Sequence, residues 1–419
     1  MAEAAEAGGA LSSGAWLSRA RARAASRVLL VAQLGLLGFA IAGTHGWIVE
    51  VPPLSTAYVS FYAAGTFALQ GTPALAYDAA AHHALEQAIT LPGIDYKYFF
   101  YPPVYLLLCA VLALPPYLLS FLLFEFASLG LLLAVLRRVL AGTGPGWLVA
   151  ALAFPALFWN LGWGQNAFLT AGLMGAGLCL LERRPFLAGL VLAGLCYKPH
   201  FGLLLPVALI AAGQWRAVAG AAAGVAGLAG LSLLVFGVET WLAYLEAARG
   251  SAEVYRSGTV NLAFYVTPFG AALLLGAPAW LAYGAQALAS LLAAACVAWL
   301  WRGGADLPTR AAGLLAATLL AVPLALLYDL MLLLLALAFL LRASLLPARG
   351  RAGFLPWEKT LAAAIWLSPL GVVSLGMGLG LPIGPLAPAA MLVLALRRAA
   401  RQGGATGPGR LGAAPKLTV

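Results

Sequence analysis

Residues 55–103 read STAYVSFYAAGTFALQGTPALAYDAAAHHALEQAITLPGIDYKYFFYPP, and this stretch decides how the rest of the chain is interpreted. It contains four charged side chains, Asp78, Glu86, Asp95 and Lys97, together with two histidines and many aromatic residues. The segments on either side of it are apolar enough to lie in lipid. A polar segment of this length between hydrophobic ones allows a membrane protein to carry out chemistry in contact with water.

The composition of the chain places most of it in a lipid bilayer. Of its 419 residues, 63% are hydrophobic and only 9% are charged, whereas a soluble globular domain carries about 25% charged residues. Mean hydropathy is +0.94, and a water-soluble fold could not bury so much apolar surface. We therefore predict an all-α polytopic membrane protein with one membrane domain over residues 28–400, flanked by disordered ends at 1–27 and 401–419.

The net charge of +10 would suit nucleic acid, but the positions of the charges indicate a membrane topology instead, and no nucleic-acid partner is expected. The arginines before the first apolar run place the N-terminus in the cytoplasm, so residues 50–103 form an outer loop. The four cysteines lie in or beside apolar runs without a CxxC pair, and no disulfide framework is expected. Arginines stand beside the apolar runs, as cytoplasmic anchors do under the positive-inside rule, at Arg19, Arg21, Arg23, Arg27, Arg137, Arg138, Arg183, Arg184, Arg397 and Arg398.

The apolar runs predict roughly a dozen helical segments, several of them shorter than the ~20 residues of a full span. The first span is predicted at Val28–Val49. The outer loop is predicted to hold two short helices along the membrane, at Tyr58–Gln70 and Ala79–Ile89, and a second polar outer segment follows at Gly237–Thr267. The remaining runs lie at Val104–Leu114, Tyr117–Leu136, Trp147–Trp159, Ala167–Leu181, Phe186–Tyr197, Phe201–Ala212, Ala217–Phe236, Leu273–Trp301, Ala311–Leu341, Leu361–Leu375 and Leu386–Leu396.

Two topologies fit the region before the first arginine pair. If Arg137 and Arg138 are cytoplasmic, the chain before them crosses the membrane only once, and Val104–Leu114 is a half-helix or a re-entrant segment. Alternatively, this arginine pair faces outward and breaks the positive-inside rule. The later polar breaks alternate consistently and fall on the same side as the outer loop.

Three of these later breaks are candidate functional positions. Gln165 and Asn166 close a glycine-rich segment, and irregular backbone at membrane depth either lines a cavity or is buried in protein, where it would serve helix pairing. Lys198 and His200 flank a proline, and two basic groups suit a phosphate, although a lysine at the membrane margin can also simply extend toward water. Asp329 interrupts a leucine-rich run, where an ionisable group marks a functional site unless it is a buried cap.

Two features of the outer loop allow a structural as well as a functional interpretation. Asp78 and His82 are four residues apart and share a helical face, as two metal ligands would, and His83 is adjacent. No further ligand is evident, so we expect Asp78 to cap a helix and expect no metal and no cofactor. Tyr101 precedes two prolines that open a helix, where proline is ordinary, so Tyr101 either lines a site or only precedes that helix.

The ordered set of short motifs is similar to one known family. The chain resembles the DUF2029 family, glycosyltransferase family 87, over about Val28 to Leu341, and some members are polyprenol-phosphate-mannose-dependent mannosyltransferases of actinobacteria. The resemblance implies a GT-C-like bundle of roughly 10–13 transmembrane helices with an active site at the first outer loop. The motifs that carry it are Phe61–Gly65, Gly71, Tyr77-Asp78, Tyr101-Pro102-Pro103, Gly164-Gln165-Asn166, Ala188-Gly189, Lys198-Pro199 and Tyr328-Asp329-Leu330.

One position departs from the family pattern. The resemblance implies an aspartate as the general base before an aromatic residue, and Ala57 stands at that position here. Either the chain is an inactive natural variant or an engineered one, or its base is another carboxylate, with Glu50, Asp78 and Asp329 available. Tyr62 and Tyr328, which lie in the shared motifs, are assigned with Tyr101, Lys198, His200, Gln165 and Asn166 to donor binding.

These observations predict an integral-membrane glycosyltransferase in the plasma (inner) membrane of a bacterium. It would move a sugar, expected to be mannose, from a polyprenyl-phosphate donor to a lipid or glycan acceptor on the outer face. We expect Lys198, His200, Gln165 and Asp329 to converge with Tyr101 on one cavity. The alternative is a transporter or flippase of lipid-linked or polar substrates, since transporters also use broken helices near the middle of the membrane.

Overall fold

The structure is a computed structural model, and it describes residues 9–43, 56–256, 260–347 and 352–403. Nearly all of these residues are helical, and the only β-structure among them is an isolated bridge between Tyr265 and Leu326. The predicted all-α class is confirmed. The helices are α1 Arg19–Gly43, α2 Thr56–Leu69, α3 Ala79–Ile89, α4 Pro103–Leu112, α5 Tyr117–Val139, α6 Trp147–Leu152, α7 Pro155–Trp163, α8 Ala167–Leu180, α9 Pro185–Ala193, α10 Leu205–Ala211, α11 Trp215–Arg256, α12 Pro268–Leu274, α13 Ala279–Arg302, α14 Leu307–Ala321, α15 Met331–Leu345, α16 Glu358–Leu379 and α17 Leu386–Gly403.

Helix length and composition confirm a polytopic membrane protein. Among the described residues, six helices are long and apolar enough to cross a bilayer, and six further apolar helices have 10–17 residues. The expected figure of roughly 10–13 transmembrane helices is reached only if the shorter helices are counted with the long ones. The six long segments are Arg19–Phe39, Tyr117–Val139, Trp215–Gly250, Ala279–Arg302, Leu327–Leu345 and Glu358–Leu379.

The two short helices predicted in the outer loop are present. α3 has the predicted bounds, and Asp78 caps it by accepting a hydrogen bond from the Ala81 backbone N–H at 2.8 Å. α2 packs against α4 so closely at Gly65 that a Cβ atom there would lie 2.0 Å from the Cys109 carbonyl oxygen. Glycine is therefore required at this crossing, which fixes the loop helix to the bundle.

Helix lengths favour the first of the two topologies considered for the region before Arg137. α4 has 10 residues and is about 15 Å long, half of the ~30 Å hydrocarbon thickness. α5 has 23 residues and meets the length of a full span. The chain between Pro103 and Arg138 therefore contains one helix that can cross alone.

The N-terminal boundary differs from the prediction. α1 begins at Arg19 rather than Val28, because alanine and arginine both favour helix. Residues 9–13 are also helical, and the Trp16 indole N–H donates to the Thr360 hydroxyl at 2.8 Å. The expected disorder of residues 1–27 is thus wrong for residues 9–27, and residues 1–8 lie outside the described part. The predicted end of this span at Val49 also lies outside the described residues.

Proline and glycine divide several predicted runs at other positions. Pro155 begins α7 inside the predicted run Trp147–Trp159, and α12 ends before a Gly-Ala-Pro break inside the predicted run Leu273–Trp301, because proline is favoured in the first turn of a helix and disfavoured in its interior. Conversely, helix extends to Arg256 through the expected polar connection, so that α11 consists of two helical halves that meet at Gly237, whose non-helical backbone with a φ of 78° favours glycine. α17 likewise reaches Gly403, so the predicted tail 401–419 begins as helix, and residues 404–419 lie outside the described part.

The centre of the bundle is α15. Its side chains are buried almost all around, and 89% of the apolar window that contains it is enclosed by protein. It packs against α8, α14, α16 and α17. Because α15 is surrounded by helices rather than by lipid, it can carry polar groups at its ends without exposing them to hydrocarbon.

Candidate active site

A cavity of about 750 Å³ lies at the N-terminal ends of α2, α8 and α15. The irregular segment 95–102 forms one wall, and the turn at residues 197–200 forms another. The second half of α11 contributes Tyr244 and Ala248, and residues 324–329 close the side nearest the core. Segments far apart in the chain thus meet around one space.

The centre of this site is a buried ion pair. The Lys198 ammonium nitrogen lies 2.7 Å from Oδ1 of Asp329, and their side chains are only 7% and 2% exposed. A buried charge needs a partner and further hydrogen bonds, and both are present. Oδ2 of Asp329 accepts from the Leu326 backbone N–H at 2.9 Å, and Lys198 also donates to Oδ1 of Asn166 at 3.4 Å.

Local backbone breaks place the two charges. Lys198 stands between two 3-10 helices, Gly194–Tyr197 and Pro199–Gly202, and its own backbone is non-helical, with a φ of -132° and a ψ of 66°. Asp329 lies in a 3-10 helix, Leu327–Leu330, that leads directly into α15. The proline at 323 ends α14 before this turn, as the sequence indicated.

Aromatic rings surround the lysine and extend the wall. The Lys198 ammonium lies 4.7 Å from the ring centre of Phe201 and 5.3 Å from that of Tyr328. Such cation–π contacts stabilise an ammonium that has left water. Beside it, Tyr105 packs between Tyr101 and Tyr197, with ring centres 4.7 and 4.8 Å away.

Three polar atoms on the cavity wall have no hydrogen-bond partner within the described part of the chain. They are Ser60 Oγ, Gln165 Oε1 and His200 Nε2. Buried polar atoms are nearly always satisfied in proteins, by a ligand or water where no protein group serves. All three atoms belong to residues that line this one cavity, on three different segments of the chain, which indicates a polar occupant of the cavity.

The structure brings together seven of the ten residues assigned to the site. The predicted convergence of Lys198, His200, Gln165 and Asp329 with Tyr101 is confirmed. Ala57 and Tyr328 also line the cavity. Asn166 lies just behind the wall, in contact with the Lys198 ammonium.

The other two predicted residues do not reach the cavity. The Tyr62 hydroxyl donates to the Pro115 carbonyl at 3.0 Å, because Tyr62 lies on the face of α2 that turns toward the α4–α5 connection. Asp78 is exposed and caps α3 instead. Asp78 is therefore not placed to act as the general base in this cavity. Glu50 lies outside the described residues. No group of three or more potential metal ligands occurs among the residues that were described.

The Asn160–Asn166 segment is more regular than predicted. α7 continues to Trp163, and the break is confined to Gly164, with a left-handed φ of 63°, and Gln165. Asn160 links this break to the bundle, since its amide donates to Glu125 at 3.2 Å and its oxygen accepts from the Ala167 backbone N–H at 2.9 Å. Sequence reasoning missed Glu125, a fully buried carboxyl in an apolar run that an intramembrane-charge rule could have found.

The wall also contains residues that the sequence did not single out as functional. Ser60, Asp95, Lys97, Tyr197 and Tyr244 all line the cavity. Asp95 and Lys97 belong to the polar outer loop and could have been chosen as charged groups there. The sequence did not distinguish Tyr197 and Tyr244 as functional, because a tyrosine beside apolar residues is usually part of the hydrophobic core.

A second buried pair supports this wall from behind. The His82 ring donates from Nε2 to the Ser60 carbonyl at 3.2 Å, which leaves Nδ1 as an acceptor 3.4 Å from Oε1 of Glu86. The other Glu86 oxygen accepts from the Lys97 backbone N–H at 3.0 Å. Burial lowers the pKa of His82 to about 4 and raises that of Glu86 to about 8, so both are neutral near pH 7.

The fold and the cavity define a class of protein. It is a polytopic helical membrane protein with a cavity lined by aromatic and polar residues, in which a buried lysine–aspartate pair stands beside unpaired hydrogen-bonding atoms. Membrane transferases and transporters both fit this description.

Comparison with known families identifies the family within that class. The model of glycosyltransferase family 87 matches residues 99–327, more than half of the chain. The chain therefore belongs to glycosyltransferase family 87, and it is a membrane glycosyltransferase rather than a transporter. The matched region contains Tyr101, Gln165, Lys198 and His200, whereas Ala57 precedes it and Asp329 follows it. Comparisons with curated proteins and with solved structures found no match.

Proposed function

We propose that the protein transfers a sugar from a polyprenyl-phosphate donor to a lipid or glycan acceptor, with the donor phosphate and sugar in the cavity around Lys198. The observation that carries this proposal is the buried Lys198–Asp329 pair on a wall with three unpaired polar atoms. By resemblance to polyprenol-phosphate-mannose-dependent members of the family, the sugar is mannose. The arginines beside the apolar runs support a cytoplasmic N-terminus and a site on the outer face of a bacterial inner membrane.

The charges of the cavity suit a singly charged donor. Lys97 and Lys198 are matched by Asp95 and Asp329, so the four ionisable lysine and aspartate side chains on the wall are balanced. A phosphodiester donor brings one negative charge, and its phosphate gains a second as the sugar leaves. Lys198 has three N–H donors, of which Asp329 engages one strongly and Asn166 a second weakly, so the third can bind the phosphate as its charge grows.

The remaining wall suits a sugar. Gln165, Ser60 and His200 carry unpaired polar atoms that a small side-chain rotation would present to sugar hydroxyl groups. Tyr101 and Tyr197 line the same cavity with their rings. Sites of this composition, mainly aromatic with a few polar groups, are typical of small-ligand pockets. Tyr77 supports the wall by donating from its hydroxyl to the Tyr101 carbonyl at 2.9 Å.

The acceptor hydroxyl needs a base, and the described part of the cavity offers a poor choice of carboxylates. Both oxygens of Asp329 already accept hydrogen bonds, from Lys198 and from the Leu326 N–H, so we assign Asp329 to positioning the lysine. Asp95 is exposed at the cavity mouth. Ala57, at the family's base position, has only a methyl group on the wall. We infer that the chain as it stands turns over slowly and that Ala57→Asp restores a base.

The experiment measures transfer from radiolabelled polyprenyl-phosphate mannose to a membrane lipid extract by the purified protein. Ala57→Asp should raise kcat by about 10²- to 10⁴-fold, the usual range for a general base, with little change in the donor KM. Ala57→Asn is the matched control, since it has the same size and no basic oxygen, and it should leave kcat unchanged.

Three results would contradict parts of the proposal. Full activity of the unaltered chain that Ala57→Asp does not change would mean that another carboxylate is the base. Equal gains with Ala57→Asp and Ala57→Asn would mean that size rather than basicity matters at this position. If no version transfers mannose but one transfers a different sugar from its polyprenyl phosphate, that sugar would replace mannose as the proposed substrate.

A further inference from the structure

A second cavity, of about 910 Å³, lies at the other end of the helices that carry the candidate active site. α15 begins just after Asp329 and carries Arg342 in its last turn, and Arg342 lines the second cavity. α8 likewise begins beside Gln165, and Cys179 near its end lines the second cavity. Thirteen residues of helix separate Asp329 from Arg342, so the cavities are about 20 Å apart along the bundle.

Four guanidinium groups line this second cavity, and no acidic side chain does. They belong to Arg137, Arg138, Arg183 and Arg342. Among the described residues, no carboxylate lies within 4.0 Å of any of the four, whereas the neighbouring Glu182 faces Arg310 instead. The positive-inside rule accounts for arginines at helix ends but not for their convergence on one concave space. Arg216 and Arg302, also at helix ends, lie elsewhere.

The rest of the wall is apolar. Trp147, Leu140, Pro308 and Phe339 line the same space. Arginine binds phosphate through parallel N–H donors, and apolar side chains accommodate the glycerol and the first carbons of an acyl chain. A wall that combines both suits an amphiphile better than a fully hydrated anion.

We propose that this cavity binds the phosphate headgroup of an anionic phospholipid, at a site separate from the sugar-donor cavity. Basic pockets between transmembrane helices on the cytoplasmic side are suited to such headgroups. The arginine side chains at Arg137, Arg138 and Arg183 are exposed and free of acidic partners among the described residues, so they can turn toward a phosphate. A soluble phosphate would engage the same guanidinium groups, and the experiment separates the two sources.

Arg342 has a structural task as well. Its guanidinium donates to the Ala141 carbonyl at 2.6 Å and to the Val139 carbonyl at 3.4 Å, and so satisfies backbone groups at the end of α5. Arg342 is therefore left intact in the test. The test variant combines Arg137→Gln, Arg138→Gln and Arg183→Gln, and the matched control combines Arg216→Gln, Arg302→Gln and Arg401→Gln, which removes the same charge from exposed positions outside the cavity.

The experiment counts bound lipids by native mass spectrometry of the full chain in an uncharged detergent. Phosphatidylglycerol should bind at least tenfold more tightly than phosphatidylcholine with the same acyl chains. At about fivefold per arginine, the test variant should lose about 100-fold in phosphatidylglycerol affinity, and the control variant should lose less than about threefold, since it keeps the cavity. If the test variant does not fold, Arg183→Gln alone should lose about fivefold.

Three outcomes would overturn the proposal. Equal binding of the two lipids would show that charge is not recognised. Equal losses in the test and control variants would show that overall charge rather than the cavity matters. Displacement of phosphatidylglycerol by millimolar inorganic pyrophosphate would reassign the cavity to a soluble anion.

Discussion

The buried Lys198–Asp329 pair allows a test that separates its effect on stability from its effect on function. The perturbation is Lys198→Met alone, Asp329→Leu alone, and the two together. Methionine has a volume close to that of lysine, and leucine keeps the branched shape of aspartate with its larger methyl groups beside the cavity that Asp329 lines, so neither replacement leaves an empty space in the core. The pair joins residues 131 positions apart in the sequence, so its loss would release two segments of the bundle.

The magnitude follows from the geometry. At 2.7 Å and an effective dielectric constant of about 20, the attraction between the two charges is about 6 kcal/mol. Both side chains are nearly inaccessible, so desolvation opposes most of that attraction. Removing one partner leaves the other charge buried and alone, which should lower the free energy of unfolding by about 3–5 kcal/mol. Removing both partners should change it by about 1 kcal/mol or less.

The assay combines thermal unfolding in detergent with donor binding and sugar transfer. We expect both single variants to unfold at a clearly lower temperature, the double variant to unfold near the unaltered protein, and all three to lose donor binding. If a single variant were as stable as the unaltered protein, the inference that Lys198 and Asp329 form a desolvated ion pair would be wrong. A stable double variant that still binds polyprenyl-phosphate mannose with unchanged affinity would show that Lys198 does not hold the phosphate.

Three further predictions concern the outer loop and the topology. Burial raises the pKa of Glu86 from 4.5 to about 8, so the stability that protonated Glu86 contributes is complete below the lower value and is lost as pH rises through the higher one. Glu86→Gln should remove this loss, a few kcal/mol between pH 6 and 9, in thermal melts across pH, and an unchanged pH profile would contradict it. Gly65→Ala should destabilise the protein by more than about 2 kcal/mol because its Cβ would meet the Cys109 carbonyl. The control Gly130→Ala, with open space around it, should stabilise the protein by about 0.5–1 kcal/mol. Similar shifts of the melting temperature in both variants would argue against the close crossing of α2 and α4. In a chain without its natural cysteines, Ala80→Cys should react with an impermeant reagent only from outside the cell and Ala141→Cys only from the cytoplasmic side; the reverse pattern would invert the topology.

Much of the fold is predictable from the sequence because its causes are local. A chain with 9% charged residues must lie mostly in lipid, and lipid permits helices because they satisfy their own backbone hydrogen bonds. α3 was predicted with its observed bounds because Asp78 caps its start and a Leu-Pro-Gly sequence follows its end. The polar residues at Lys198, Gln165 and Asp329 stood out because each interrupts an apolar run.

Boundaries failed where a local signal was ambiguous. The predicted end of a helix before Gly237 is present, because the backbone of Gly237 is non-helical, but the following residues to Arg256 form a second helix rather than the expected polar connection. The arginine-rich segment before Val28 was assigned to a disordered end because of its charge, although arginine and alanine favour helix and α1 begins there.

The sequence by itself determined that this is an all-helical membrane protein and which polar residues interrupt its apolar runs. Only the tertiary structure decided which of those residues meet. Tyr62 and Asp78 were assigned to the site together with Ala57, yet Tyr62 faces the α4–α5 connection and Asp78 faces solvent, because the direction of a helix face depends on what packs against it. Lys198 and Asp329 come within 2.7 Å of each other, and four arginines converge at the opposite end of the same helices. Helix packing brings these distant segments together, and the local sequence does not indicate which segments will meet.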